Sequence, residues 1–241
     1  VEMPWVDEVG AILEGYLGGQ AAGGAIADVL MGVRNPSGKL AETFAEQLSD
    51  IPSQPWFPGE HRQMQYREGL YVGYRYFDTA RRSVLFPFGH GLSYSHFDLP
   101  QVILSNDTLT AQRSVKLTVE VQNTGSMAGA EVVQVYRHCK NSLVHRPDQE
   151  LCGFAKLHLE AGAGGSVEIQ LLPDSFQIFD HGTQNWILES GPVELRIGVS
   201  SRDIRLTKML NIASVDVPST LAAGVPWPEF LPADAGQGLA V

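Results

Sequence analysis

Along the chain, apolar residues recur with two different periods. In the first third Val9, Ile12 and Leu13, then Ala22, Ile26, Val29, Leu30 and Val33, fall near the 3.6-residue repeat of a helix with one buried face. Two helices are expected there, separated by Gly18-Gly19, with the second stopping at Gly32. The Ala and Gly of that second helix would let its backbone approach a neighbouring sheet closely. Asn35-Pro36-Ser37-Gly38 then fits a type I turn, with Asn at the first position, Pro at the second and Gly at the fourth. Pro52 to Gly59, with Pro55-Trp56-Phe57-Pro58 inside it, reads as an ordered loop pinned by its aromatics.

From about Val115 the period shortens to two. Leu117, Val119 and Val121 alternate with Lys116, Thr118 and Glu120; Val167, Ile169 and Leu171 alternate in the same way, as do Val193, Leu195, Ile197 and Val199. Further strands are expected at 130–138, 151–157, 176–180, 186–189 and 204–212, punctuated by Asn123-Thr124-Gly125, the Gly-rich 161–165 and Ser190-Gly191-Pro192. About seven short strands with such turns predict an all-β sandwich of the immunoglobulin or fibronectin type III kind. The expected division is 1–90, a connector at 91–114, the sandwich at 115–212 and a proline-rich tail at 213–241 with no usable period.

Charge narrows the partners. The 241 residues hold 17 Lys and Arg against 27 Asp and Glu, a net charge of −10, and no basic run interrupts it, which argues against nucleic acid and against anionic membrane surfaces. A ligand, if there is one, is expected to be neutral. Hydrophobic residues at 44% and charged residues at 18% exclude a disordered acidic chain, a collagen-like repeat and a coiled coil. No apolar run reaches the roughly 18 residues of a membrane span. Cys139 and Cys152 make no disulfide framework, are expected as free thiols, and join no His or Cys at zinc-site spacing, so neither a metal nor a cofactor is expected. Val1-Glu2-Met3-Pro4-Trp5 is neither a basic leader nor an initiator Met. We expect the chain to start inside a longer protein; localisation stays open, with the cytoplasm favoured.

Several short patterns carry no chemistry. Gly18 to Gly24 lacks the Lys-Ser/Thr of a phosphate-binding loop and follows no apolar strand. Gly91-Leu92-Ser93-Tyr94-Ser95 has Ser where a nucleophile elbow needs its last Gly. His90, His96 and His138 have no partners at ligand spacing, and Asn106-Asp107-Thr108 is a glycosylation pattern too loose to weigh alone. Trp56, Glu60, Tyr66 and Glu68 cluster carboxylates with rings, a common way to hold a sugar, although such loops more often serve as hydrophobic pins.

A more specific combination lies in residues 18–30 with Gly18-Gly19-Gln20-Ala21-Ala22-Gly23-Gly24, in Asn35-Pro36-Ser37-Gly38-Lys39-Leu40, in Glu68-Gly69-Leu70-Tyr71-Val72-Gly73-Tyr74-Arg75-Tyr76-Phe77-Asp78, and in Phe86-Pro87-Phe88-Gly89-His90-Gly91. With Arg146-Pro147, Glu150-Leu151, Gly153-Phe154 and the run Gly198 to Ile204, it resembles a family 3 glycoside hydrolase over residues 1 to about 212. The resemblance implies that 1–90 is the C-terminal part of an α/β sandwich, so the fold class is α/β followed by the all-β sandwich. It implies a retaining β-glucosidase acting on terminal β-linked glucose, in which a (β/α)8-type barrel supplies a nucleophilic Asp and the sandwich an acid/base Glu. Both carboxylates precede the matched segment, so no catalytic residue is assigned here, and the barrel with the first part of the sandwich is the implied partner, as upstream sequence or separate chain. Trp56 and Glu60 are the candidates for the substrate rim. Tyr71, Val72, Tyr74, Tyr76 and Phe77 are expected to pack about Gly73, with Arg75 and Asp78 pairing or holding backbone groups. A non-catalytic carbohydrate-binding or adhesion module is the alternative.

Overall fold

The computed structural model describes residues 2–214, so the expected tail lies, from residue 215 on, outside the described residues. The segment before residue 97 is mostly irregular. It holds two helices, α1 (Ala22–Leu30) and α2 (Tyr74–Thr79), with single 3-10 turns at Val6–Glu8, Leu48–Asp50 and Gln54–Trp56. Helix α1 follows the Ala-rich run and stops where expected. Gly32 takes φ 71°, its N–H reaching the Val29 carbonyl at 3.0 Å while that of Val33 reaches Asp28 at 2.8 Å, the closing pair of a left-handed C-terminal cap.

Two expectations for this segment fail. No helix forms around Val9–Leu13, and Val9, Ile12 and Leu13 are 37–43% exposed. Gly10 and Gly15 each cost such a helix about 1 kcal/mol, and a short helix with no surface to pack on does not hold. The turn at 35–38 is also absent. Asn35 is engaged elsewhere, accepting from the Ser93 hydroxyl at 2.8 Å and the Tyr94 N–H at 2.9 Å while its amide donates to the Ala128 carbonyl at 3.1 Å.

Beyond residue 96 the chain is a two-sheet sandwich. Its strands are β1 (Phe97–Asp98), β2 (Val102–Leu104), β3 (Thr108–Leu109), β4 (Val115–Asn123), β5 (Gly129–His138), β6 (Glu150–Leu159), β7 (Gly164–Leu171), β8 (Gln177–Asp180), β9 (Asn185–Leu188), β10 (Gly191–Gly198) and β11 (Ile204–Ile212). One sheet is built on β4, with β1 and β2 along one edge and β7 along the other; the second runs β3-β11-β10-β5-β6. The alternation of β4 is realised residue by residue, with Val115, Leu117, Val119 and Val121 buried and Lys116 and Glu120 exposed. They meet Val133, Val135, Leu195 and Ile197 of the facing sheet in one core. Each such side chain contributes roughly 1.5–3 kcal/mol on burial.

Strands β1, β2 and β3 lie in the stretch read as a connector, and at two or three residues they are too short to show a period. Strands β8 and β9 pair only with each other, as a hairpin beside the sheets. Asn123, first read as turn punctuation, ends β4 fully buried. Its carbonyl oxygen accepts from Ser95 at 2.6 Å and from the Gly125 N–H at 3.0 Å, while its amide reaches the carbonyls of Met127 and Glu160 at 2.9 and 3.1 Å.

Candidate functional site

Helix α2 and the Phe86 to Gly91 segment lie on the outer face of the five-stranded sheet, and polar side chains stitch them to it. Gly73, at φ 57°, lets the chain turn into α2, which buries Tyr76 and Phe77 with Tyr71 and Ala80 in a small second core. The opposite side of the helix meets the sandwich. Asp78 accepts from Arg202 Nε at 2.8 Å and from the Gln149 amide at 3.1 Å. Arg202 also donates to the carbonyls of Phe77 and Arg82 at 3.3 and 2.7 Å. Thr79 Oγ1 accepts from the Asp148 N–H, and the Tyr74 hydroxyl from the Leu151 N–H. Tyr74 stacks on Phe88 with ring centres 4.8 Å apart.

The expectation that Arg75 and Asp78 pair or hold backbone groups is corrected for Asp78: its partners are the side chains of Gln149 and of Arg202, the latter from a turn 124 residues away. Neighbours on a helix at i and i+3 are close, but a guanidinium that also caps two carbonyls from across the seam satisfies the buried acid more fully. Burial pushes the Asp78 carboxyl upward despite Arg202 and Gln149, whose bonds favour the ionised form.

The Phe86 to Gly91 segment is fixed from two sides. Gly89 takes φ 79°, and a Cβ there would stand 2.1 Å from Gln134 Oε1. Gln134 Nε2 donates to the carbonyls of Gly89 and Val199, and its oxygen accepts from Tyr136. Lys39 bonds the Gly91 carbonyl at 2.9 Å and pairs with the buried Glu131 at 2.7 Å. Burial lowers the basicity of His90, stacked on Phe86 at 5.4 Å, and nearby Lys39 lowers it further.

Between α2 and the sandwich an open groove of about 560 Å³ is lined by Asp78, Arg81, Arg82, Asp148, Arg196 and Arg202 among others. Asp148 is held by Arg196 at 2.6 Å, as Asp78 is by Arg202. Both carboxylates are engaged by arginines of the β-module, and the groove is a structural seam. Among the described residues no group of three or more His, Cys, Asp and Glu could hold a metal, and no helix is long and apolar enough to cross a membrane. Cys139 and Cys152 are unbridged, and burial pushes the Cys152 thiol up to about 12, where it is inert.

Trp56 and Glu60 lie in the exposed loop at 51–70. Trp56 ends a 3-10 turn and the Arg67 guanidinium sits 3.9 Å from its ring centre. Glu60 closes a tight turn with Gln63 through two backbone hydrogen bonds of 3.0 and 2.8 Å, leaving its carboxylate exposed. The structure places both in one loop, and no hydrogen bond or ion pair joins their side chains. Glu68 Oε2, Thr43 Oγ1 and Arg75 Nε are buried without hydrogen-bond partners among the described residues. The sequence reading left Arg202, Gln149 and Lys39 without roles. Arg202 and Lys39 stood inside quoted motifs, the run Gly198 to Ile204 and Asn35 to Leu40, and Gln149 in none.

A family model described as "Glycosyl hydrolase family 3 C-terminal domain" matches residues 1–94, and one described as "Fibronectin type III-like domain" matches residues 131–201. The chain is 47% identical over 214 residues to thermostable beta-glucosidase B of Acetivibrio thermocellus, with 89% of this chain and 28% of that protein covered. It is 40% identical over 201 residues to an exo-alpha-(1->6)-L-arabinopyranosidase of Bifidobacterium longum, covering 83% of this chain and 26% of the relative. Among solved structures it is similar to the GH3 beta-glucosidase of Bifidobacterium adolescentis, with a TM-score of 0.82, 37% identity, and 90% of this chain against 32% of that one. The chain thus spans about 28% of the length of the first of these relatives.

Proposed function

We propose, from the premise that this chain belongs to glycosyl hydrolase family 3 and carries its C-terminal and fibronectin type III-like domains, that the complete protein is a retaining β-glucosidase hydrolysing terminal non-reducing β-D-glucosyl residues. The observation that carries the reading is the 47% identity to a beta-glucosidase across both domains in one order. Retention needs two carboxylates about 5–5.5 Å apart, one a nucleophile and one an acid/base. In this reading both belong to polypeptide outside this chain, a barrel and the first part of the sandwich. Asp78 and Asp148 are engaged by arginines and serve the scaffold.

The part played by this chain is to brace. A cleft between domains works only if its walls are held to within roughly 0.5 Å. The seam of Asp78, Gln149, Arg202, Lys39 and Glu131 is suited to hold the sandwich end against the β-module. Support for an outside partner comes from the same region: Ile26, Leu30, Met31 and Val33 are 41–80% exposed. Trp56 and Glu60 remain our candidates for the rim of the leaving-group subsite. The sugar recognised is set elsewhere in the protein, in keeping with a relative named for L-arabinopyranoside cleavage that shares this portion.

The test is direct. The 241-residue chain alone is expected to leave an aryl β-glucoside intact, while the complete protein hydrolyses it and releases β-glucose as the first anomer seen by NMR. Turnover by the homogeneous chain, or release of α-glucose, would overturn the proposal.

A further inference from the structure

The β8–β9 hairpin stands beside both sheets and carries an aromatic corner on a rigid frame. Its base is fixed by the buried Phe176, Ile178 and Leu188 and by Arg137, which donates to the Ser175 carbonyl. Its tip is fixed by Asp180, which accepts from the N–H groups of Gly182 and Thr183, each at 3.1 Å, and from the Thr183 hydroxyl at 2.6 Å. On the exposed face Phe179 stands directly opposite Trp186, ring centres 5.5 Å apart at 69°, with His181 against Phe179 at 5.3 Å. Trp186 is 64% exposed, against 42% for Trp5 and 36% for Trp56.

We infer that this corner binds a neutral oligosaccharide of β-linked glucose, one pyranose stacking on Trp186 with Phe179 at its edge. The ligand class rests on the activity proposed above; the site rests on the hairpin itself. Size argues for a sugar: aromatic side chains bury about 150–250 Å² each, so these rings fall well short of the roughly 800 Å² per partner in a stable protein interface. Charge argues the same way. Residues 177–188 hold no Lys or Arg, and their one acid, Asp180, is consumed in its own turn. The amide groups of Gln184 and Asn185 donate to the carbonyls of His181 and Thr183, which leaves their oxygens to accept sugar hydroxyls. A frame already rigid adds little ordering cost on binding.

The 241-residue chain titrated with a soluble cello-oligosaccharide is expected to show saturable binding by isothermal titration calorimetry. Trp186→Ala is expected to weaken it about tenfold or more, Phe179→Ala less, and Trp5→Phe not at all. Trp186→Phe, which keeps a ring to pack the hairpin, guards against misfolding and is expected to retain part of the affinity. No saturable binding by the native chain, or equal binding by a folded Trp186→Ala, overturns the inference. So does self-association that Trp186→Ala abolishes while sugar has no effect. Failure here with the complete protein still splitting an aryl β-glucoside removes the platform and leaves the proposed activity standing.

Discussion

Helix α1 and strand β4 are both nine residues long and both patterned with an apolar face, yet α1 buries none of its side chains while β4 buries Val115, Leu117, Val119, Val121 and Asn123. The difference lies in where the second face comes from. Strand β4 is matched by β5 and β10 of the same chain, so its alternation closes a core within the described residues. Helix α1 has no such match, and its Ile26 and Leu30 stay open. Amphipathic pattern states what a segment can bury; only a facing surface turns that into stability.

The sharpest way to break this comparison is one substitution made twice. Leu117→Ala empties a fully buried site and is expected to cost about 2–5 kcal/mol, whereas Leu30→Ala, at 66% exposure in α1, is expected to fall within about 0.5 kcal/mol of native. Denaturant midpoints of the isolated chain decide it; equal costs would show that α1 has a covered face.

A smaller effect is expected at the seam joining the two regions. Arg202→Ala leaves the buried Asp78 carboxylate without its charge partner, and since the Arg202 side chain is itself 33% exposed, the cost is put at about 2–3 kcal/mol rather than the larger penalty of a fully buried pair. Hydrogen exchange should rise across Tyr74–Thr79 and stay unchanged in β4. Faster exchange in β4 as well would mean that the regions unfold as one unit.

The smallest effect separates the two by pH. The folded pKa of His90 lies below its ordinary 6.5, so the unfolded chain binds the proton more readily and stability at the seam is lost as pH falls below 6.5, until the folded form titrates too. Glu150 works later. Burial opposes its charge, but Arg137 and Arg146 win and hold it below the ordinary 4.5, so its contribution is complete above that pH and lost as pH falls through the folded value. Asp78, pushed upward, has the opposite sign: stability rises slightly as pH falls through its folded value toward 3.8. Thermal melts of His90→Gln and Glu150→Gln against native protein should show the first flattening the curve near neutrality and the second only in acid; one shared acid transition would contradict the assignment.

Much of the sandwich was legible because alternation over eight or more residues is hard to mistake, as in β4, β7 and β10. The hairpin of β8 and β9 was legible as strands but not as a separate pair, since pairing partners are not written in period. Around Val9 three apolar residues mimicked a helix while Gly10 and Gly15 argued against it, and the glycines prevailed. Of the loop, Trp56 and Glu60 were located by composition alone, and Arg67 as the ring's partner was not foreseen. Asp78 drew notice for its motif, but its partner across the seam required the fold.

That distance has a consequence in time. Asp78 and Arg202 are joined across 124 residues, and Gln149 meets Asp78 across 71. Closing so long a loop carries an entropic cost that other contacts must first offset, and it cannot happen until the chain beyond β10 has been made. As the polypeptide leaves the ribosome, α2 therefore meets Asp148, Gln149 and Leu151 first, and the turn bearing Arg202 is the last piece of the seam to arrive. A chain interrupted before that turn would hold most of the sandwich's sequence and still leave Asp78 without its charge partner.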